Sequence, residues 1–62
     1  MEFSEKVKEV RGILLLSQEE LAKQIGVSRV TITRWETLGY VPKFLTLKKF
    51  EAFCERNGIN VN

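Results

Sequence analysis

Residues 28–36 read "SRVTITRWE". Four consecutive β-branched residues, Val30, Thr31, Ile32 and Thr33, favour a strand by propensity. The residues just before them argue otherwise. In "SQEELAKQIGV", residues 17–27, Ser17 and Glu20 have the spacing of a capping box, in which hydroxyl and carboxylate each satisfy the other residue's backbone amide. Leu21, Ala22 and Ile25 then mark one buried helical stripe, and Gly26 ends that helix. Ser28 is a fresh N-cap. As a strand, 28–36 would set Val30 and Ile32 beside Arg34 and turn Trp35 the other way. As a helix it points Val27, Ile32 and Trp35 inward. No other segment alternates convincingly, and a lone strand cannot satisfy its backbone. The spacing therefore predicts a helix over 28–36, against local propensity.

The flanks extend this reading. "SEKVKEVRGILLL", residues 4–16, predicts a helix capped by Ser4, with Glu5 in its first turn and Val7, Val10 and Leu14 along one face. Gly12 weakens that helix by roughly 1 kcal/mol relative to Ala. After the turn "TLGYVPK", residues 37–43, Phe44, Leu47, Phe50, Phe53 and Cys54 recur at helical spacing. Thr46 is one candidate N-cap for that helix, and Pro42 an earlier start. Asn57 and Gly58 end it, with Ile59 folding back over the last turn in a Schellman-type contact.

The chain has 62 residues, 44% of them apolar, enough for one small core. "ILLL", residues 13–16, is far too short for a membrane span, and the charged start "MEFSEKVKEV" does not read as a signal peptide. One cysteine and no histidine exclude an ordinary zinc site and internal disulfides, so a cytoplasmic, reducing setting is expected. Cys54, in the apolar run "FEAFC", reads as a buried core thiol. The net charge of +2 says little about partners. Its distribution says more: from Gly26 to Phe50 the only acid is Glu36, beside Arg29, Arg34, Lys43, Lys48 and Lys49. Either this is a solvated face or it meets a polyanion.

"SQEELAKQIGVSRVTITRWE" resembles the helix-turn-helix of the Cro/repressor-type, or XRE, family, which includes the lambdoid phage repressors. Ala22 falls where that family places a small residue at a close helix crossing, and Gly26 sits in the turn. Leu21, Ile25, Val27, Ile32 and Trp35 fill its apolar positions. Arg11 stands where the family has an arginine paired with the glutamate matched by Glu36. The resemblance covers roughly residues 5–55 and implies an all-α fold: a compact four-helix, lambda-repressor-like bundle with the helix-turn-helix at about 17–36. There are three departures. The family often has a glycine near Leu15, giving "GLSQ" where this chain has "LLLSQ", and often has a glycine two residues after the glutamate, where here Gly39 comes three after. The last helix is longer and richer in Phe, without a fifth helix. "RWETLGYVP" is also similar to the start of MerR-like and excisionase domains, which keeps a winged relative open.

The resemblance implies sequence-specific binding of double-stranded DNA by a prokaryotic or phage transcriptional regulator, with the helix at about 28–36 in the major groove. A helix packing Val27, Ile32 and Trp35 inward turns Arg29, Val30, Thr33 and Arg34 outward, and the resemblance puts these four in base-reading positions. Arginine offers guanine O6 and N7 two hydrogen bonds; valine packs on a thymine methyl. Gln18, Ser28, Thr31 and Lys43 are the expected phosphate anchors, the first two at helix N-termini where free amides favour an anion. Thr37 and Tyr40 are further loop candidates. Arg11 with Glu36 is expected to be a structural ion pair. Tight operator binding in this family implies a homodimer on two half-sites. No cofactor or small-molecule ligand is expected.

A protein-docking module of the same fold is the competing reading, because Ile13 and Leu15 cannot both face the core along with Leu14 and Leu16. An enzyme has little behind it: the chain has no histidine, no aspartate and no phosphate loop.

Overall fold

A computed structural model describes residues 2–39 and 41–59. They form four helices: α1 (Phe3–Leu14), α2 (Gln18–Ile25), α3 (Arg29–Leu38) and α4 (Phe44–Arg56). Among the described residues there is no strand, and hence no wing of the MerR kind. The segment 28–36 is helical, as its neighbours demanded. The reason is burial. Ile32 and Trp35 are almost fully enclosed, and each large apolar side chain taken out of water contributes roughly 1.5–3 kcal/mol. That exceeds the few tenths of a kcal/mol by which β-branching disfavours a helix. Helix α3 is the centre of the molecule: α1 and α2 both pack on it, and α4 packs on α2.

The caps of α2 follow the sequence closely. Ser17 Oγ accepts from the Glu20 amide at 3.1 Å, and the Ser17 amide donates to Glu20 Oε1 at 2.8 Å. These contacts hold the Glu20 carboxyl below its ordinary pKa. Gly26 closes α2 at φ 95°, a left-handed conformation that strains any residue with a Cβ. Ser28 Oγ then accepts from the Thr31 amide at 3.2 Å and starts α3. Gly39, at φ 73°, caps the end of α3. Its position three residues after Glu36 lets α3 run to Leu38.

Two helix starts differ from the sequence reading. Helix α1 is capped by Glu2, not Ser4: the Glu2 amide donates to Glu5 Oε1 at 3.3 Å, and the helix begins at Phe3. The earlier start carries Phe3 into an aromatic cluster, where its ring meets Trp35 and Phe50 edge-on, each with centroids 5.3 Å apart. Trp35 and Phe50 meet at 5.9 Å, and such pairs contribute about 0.5–1.5 kcal/mol beyond area burial. Helix α4 starts after Lys43, which supplies no side-chain cap, so neither Thr46 nor Pro42 opens it. Phe44 lies about two and a half turns before the buried Phe53, on the opposite side of α4, and is not part of the buried stripe. It is 69% exposed, with Lys48 Nζ 5.4 Å above its ring, while Phe50, Phe53 and Cys54 are buried and Leu47 half-buried.

The end of α4 is the expected Schellman motif. Ile59 N donates to Cys54 O at 2.9 Å and Gly58 N to Glu55 O at 3.1 Å. Ile59 packs against the core. Cys54 is a free, fully buried thiol whose pKa burial pushes up, which is the behaviour of a core residue and not of a nucleophile.

Candidate nucleic-acid interface

Helix α3 has two faces. Ile32, Trp35 and Glu36 are buried, and Val27, just before the helix, packs against the core. Opposite them Arg29, Val30 and Arg34 are exposed, and Thr33 is half-buried at the edge of the same face. The four expected base readers therefore share one outward surface. Val30 is 52% exposed between the two arginines. About half of its apolar surface is open to a partner.

The expected phosphate anchors are less alike. Ser28 and Thr31 are joined hydroxyl to hydroxyl at 2.9 Å, and Ser28 is also the N-cap of α3. Lys43 is exposed in front of α4. Gln18 differs most, because its side chain is not directed to solvent alone. Its Nε2 donates to Glu36 Oε1 at 3.1 Å, and its Oε1 accepts from Thr33 Oγ1 at 2.9 Å. At the start of α2 the capping box already takes the Ser17 and Glu20 amides. Thr37 is exposed; Tyr40 lies outside the described residues.

Arg11 and Glu36 meet in fork-to-fork geometry. Arg11 Nε donates to Glu36 Oε2 at 2.6 Å and Nη2 to Oε1 at 2.9 Å. A third donor, Nη1, reaches Leu16 O at 3.2 Å, tying α1 to the turn before α2. Burial alone would raise the carboxyl pKa of Glu36, but the hydrogen bonds from Arg11 and Gln18, with the charges of Arg11 and Lys8, hold it below its ordinary value. The hydrogen bond to Glu36 outweighs partial burial at Arg11 and raises the guanidinium's pKa. Among the described residues no buried side-chain nitrogen or oxygen lacks a partner. The pair thus locks α1 to α3 across the back of the helix-turn-helix.

The sequence is similar to those of known proteins. A family model described as helix-turn-helix matches residues 7–57, most of the chain. The chain belongs to this family, the XRE type. Over 53 residues it is 42% identical to the HTH-type transcriptional activator BcrR of Enterococcus faecalis, covering 86% of this chain and 26% of BcrR. Over 49 residues it is 45% identical to the uncharacterised HTH-type transcriptional regulator YgzD of Bacillus subtilis strain 168, covering 77% of this chain and 74% of YgzD. The chain thus spans about a quarter of BcrR. No solved structure matches it significantly.

Two features of the site escaped the sequence reading. One is the bridge that Gln18 makes between Glu36 and Thr33, residues 18 and 15 positions away along the chain; no local pattern signals a contact of that range. The other is a second apolar surface. Leu38, Val41, Phe44 and Leu45 are all exposed around the α3–α4 connection, in addition to Ile13 in α1 and Leu15 at its end. Phe44 shares a helix with Phe50 and Phe53, but at about 100° per residue it falls on the outer side of α4.

Proposed function

We propose that this chain is a sequence-specific double-stranded DNA-binding domain of a transcriptional regulator, with α3 entering the major groove. The observation that carries the reading is the division of α3. Its inner face is fixed by Ile32, Trp35 and the Arg11–Glu36 pair, while Arg29, Val30 and Arg34 are exposed on the other side, with Thr33 half-buried at its edge. Arg29 and Arg34 read guanine O6 and N7, and Val30 packs on a thymine methyl. Lys43, the amides behind Ser28 and the Ser28–Thr31 hydroxyl pair hold phosphates and set the register without reading sequence. Regulation of transcription is the role in the names of both relatives.

A second reading has its own support. The exposed Ile13 and Leu15, and the separate exposed set at Leu38, Val41, Phe44 and Leu45, suit contact with protein. Salt separates the two. Selection from random duplex DNA at low and moderate salt should enrich a motif containing guanines, with affinity falling steeply as salt rises because counterions are released. Two spaced half-sites would add a homodimer. Absence of binding even at low salt would transfer the role to protein docking.

A further inference from the structure

The hydrogen bonds behind α3 have a direction. Arg11 is a cation and can only donate, and it keeps Glu36 ionised. An ionised carboxylate can only accept, so the group of Gln18 that faces Glu36 Oε1 must be the NH2. The amide's other end, its carbonyl Oε1, is then fixed toward Thr33. A carbonyl can only accept, so the Thr33 hydroxyl must donate. Its other inward neighbour, Arg29 O at 3.1 Å, is also an acceptor. A hydroxyl has one proton, and both groups on the protein side draw it inward. What Thr33 shows to the outside is therefore lone pairs and a methyl group, and no proton.

We propose that the part-buried chain Arg11–Glu36–Gln18 sets the polarity of Thr33, making it an acceptor that reads an amino group, adenine N6 or cytosine N4, in the major groove. Gln18 acts as a positioning residue in this scheme, through its side chain, and not as a side-chain phosphate anchor. The inference rests on the DNA-binding reading above and names what one position of that site recognises. Among major-groove edges only adenine and cytosine present donors; guanine and thymine present O6, N7 and O4 acceptors there. A free threonine hydroxyl could serve either kind by rotating. The fixed amide removes that choice.

The test uses the full chain and the duplex motif selected by the wild type. Each base pair is varied in turn and binding measured for the wild type, Thr33→Val, Thr33→Ser, Gln18→Met and the double variant Gln18→Met with Thr33→Val. The wild type should prefer an adenine or cytosine amino group at one pair by about three- to tenfold, the worth of one hydrogen bond. Thr33→Val should flatten that preference and leave the other pairs unchanged, and Thr33→Ser should keep it. Gln18→Met should lose part of the same preference at the same pair, because Arg29 O remains as the weaker inward acceptor, and should lose nothing further once Thr33 is valine. A preference for guanine or thymine that disappears with Thr33→Val would overturn the proposal, as would a Gln18→Met variant that weakens every duplex by one factor. No lost preference in Thr33→Val would overturn it too. A wild type that selects no motif would instead refute the DNA-reading function on which it depends.

Discussion

The two turns that enclose α2 are built on one plan from different residues. In the first, Leu15 is left-handed at φ 57°, Leu16 packs against the core, and Ser17 caps the next helix. In the second, Gly26 is left-handed at φ 95°, Val27 packs against the core, and Ser28 caps the next helix. The closing bonds match as well: Leu16 N donates to Arg11 O at 2.9 Å, and Val27 N to Ala22 O at 3.0 Å. Glycine takes this conformation freely, whereas a residue with a Cβ is strained by roughly 1–2 kcal/mol. Leu15 is the only non-glycine at positive φ among the described residues, and it is 88% exposed, so burial gives nothing back. What holds the first turn is long-range. Arg11, locked by Glu36, donates to Leu16 O. One turn is thus specified by its own glycine and the other by an ion pair 25 residues apart. The lesson is that the same backbone can be fixed locally or remotely, with different vulnerabilities.

Removing the remote support should have the largest effect. Arg11→Ala strands Glu36 with burial and one remaining partner, and it frees Leu16 O. The expected loss is about 2–3 kcal/mol, toward the low end for a broken buried pair because Arg11 is partly exposed. A domain of this size holds only about 3–5 kcal/mol, so a thermal melt should show a protein near its limit. Arg11→Ala with Glu36→Ala should recover part of the loss, and additive losses in the cycle would show that the two residues do not cooperate. The pair also predicts acid sensitivity. The pKa of Glu36 lies below its ordinary value of 4.5 in the folded state. The unfolded chain therefore binds the proton first, and the stabilisation is complete above about pH 4.5 and lost as pH falls through the lower folded value. The melting temperature should fall less steeply between about pH 5 and pH 3 in the double variant than in the wild type.

Exchanging the residues of the two turns gives smaller and opposite shifts. Gly26→Ala should lose about 1 kcal/mol through φ strain alone, since an added Cβ would meet nothing within 4 Å. Leu15→Gly should gain about 0.5–1 kcal/mol, the relief of strain less the entropy a glycine adds to the unfolded chain. Denaturant midpoints with unchanged m-values would read both. A destabilised Leu15→Gly would mean that the exposed leucine contributes a contact that outweighs its conformation.

How much of this was legible in the sequence follows the same division. Ser17, Glu20, Gly26 and Ser28 act within four residues of themselves, so α2 and the start of α3 are legible from them. The inward set Val27, Ile32 and Trp35 followed from helical spacing. The start of α1 was misplaced because Ser4 is a good cap locally, while burial of Phe3 against Trp35 and Phe50 is a tertiary gain. The start of α4 was misplaced for the opposite reason: its cap, Lys43, contributes no side-chain bond, so no residue type marks it. At the interface, the outward placement of Arg29, Val30 and Arg34 was legible from the helix. The Gln18 bridge was not, because it closes between α2 and α3 over 18 and 15 residues of sequence. Arg11 with Glu36 came from the resemblance, since 25 residues of separation carry no periodic signal.

The α4 start carries the smallest expected effect on stability and separates stability from binding. Lys43→Ser places a side-chain acceptor where the N-cap now has none, and it removes a cation from the positive end of the helix. Both changes favour α4, by about 0.5–1 kcal/mol in sum. If Lys43 anchors a phosphate, the same substitution removes one ionic contact, so the slope of log K against log salt should become shallower by about 0.9. Stability and affinity should therefore move in opposite directions. The physical reason is that a lysine in front of a helix is poorly placed for the helix itself, so a role in the fold would not keep it there. A variant that gains stability and keeps both its affinity and its salt slope would release Lys43 from the interface and leave α2 and α3 as the whole of it.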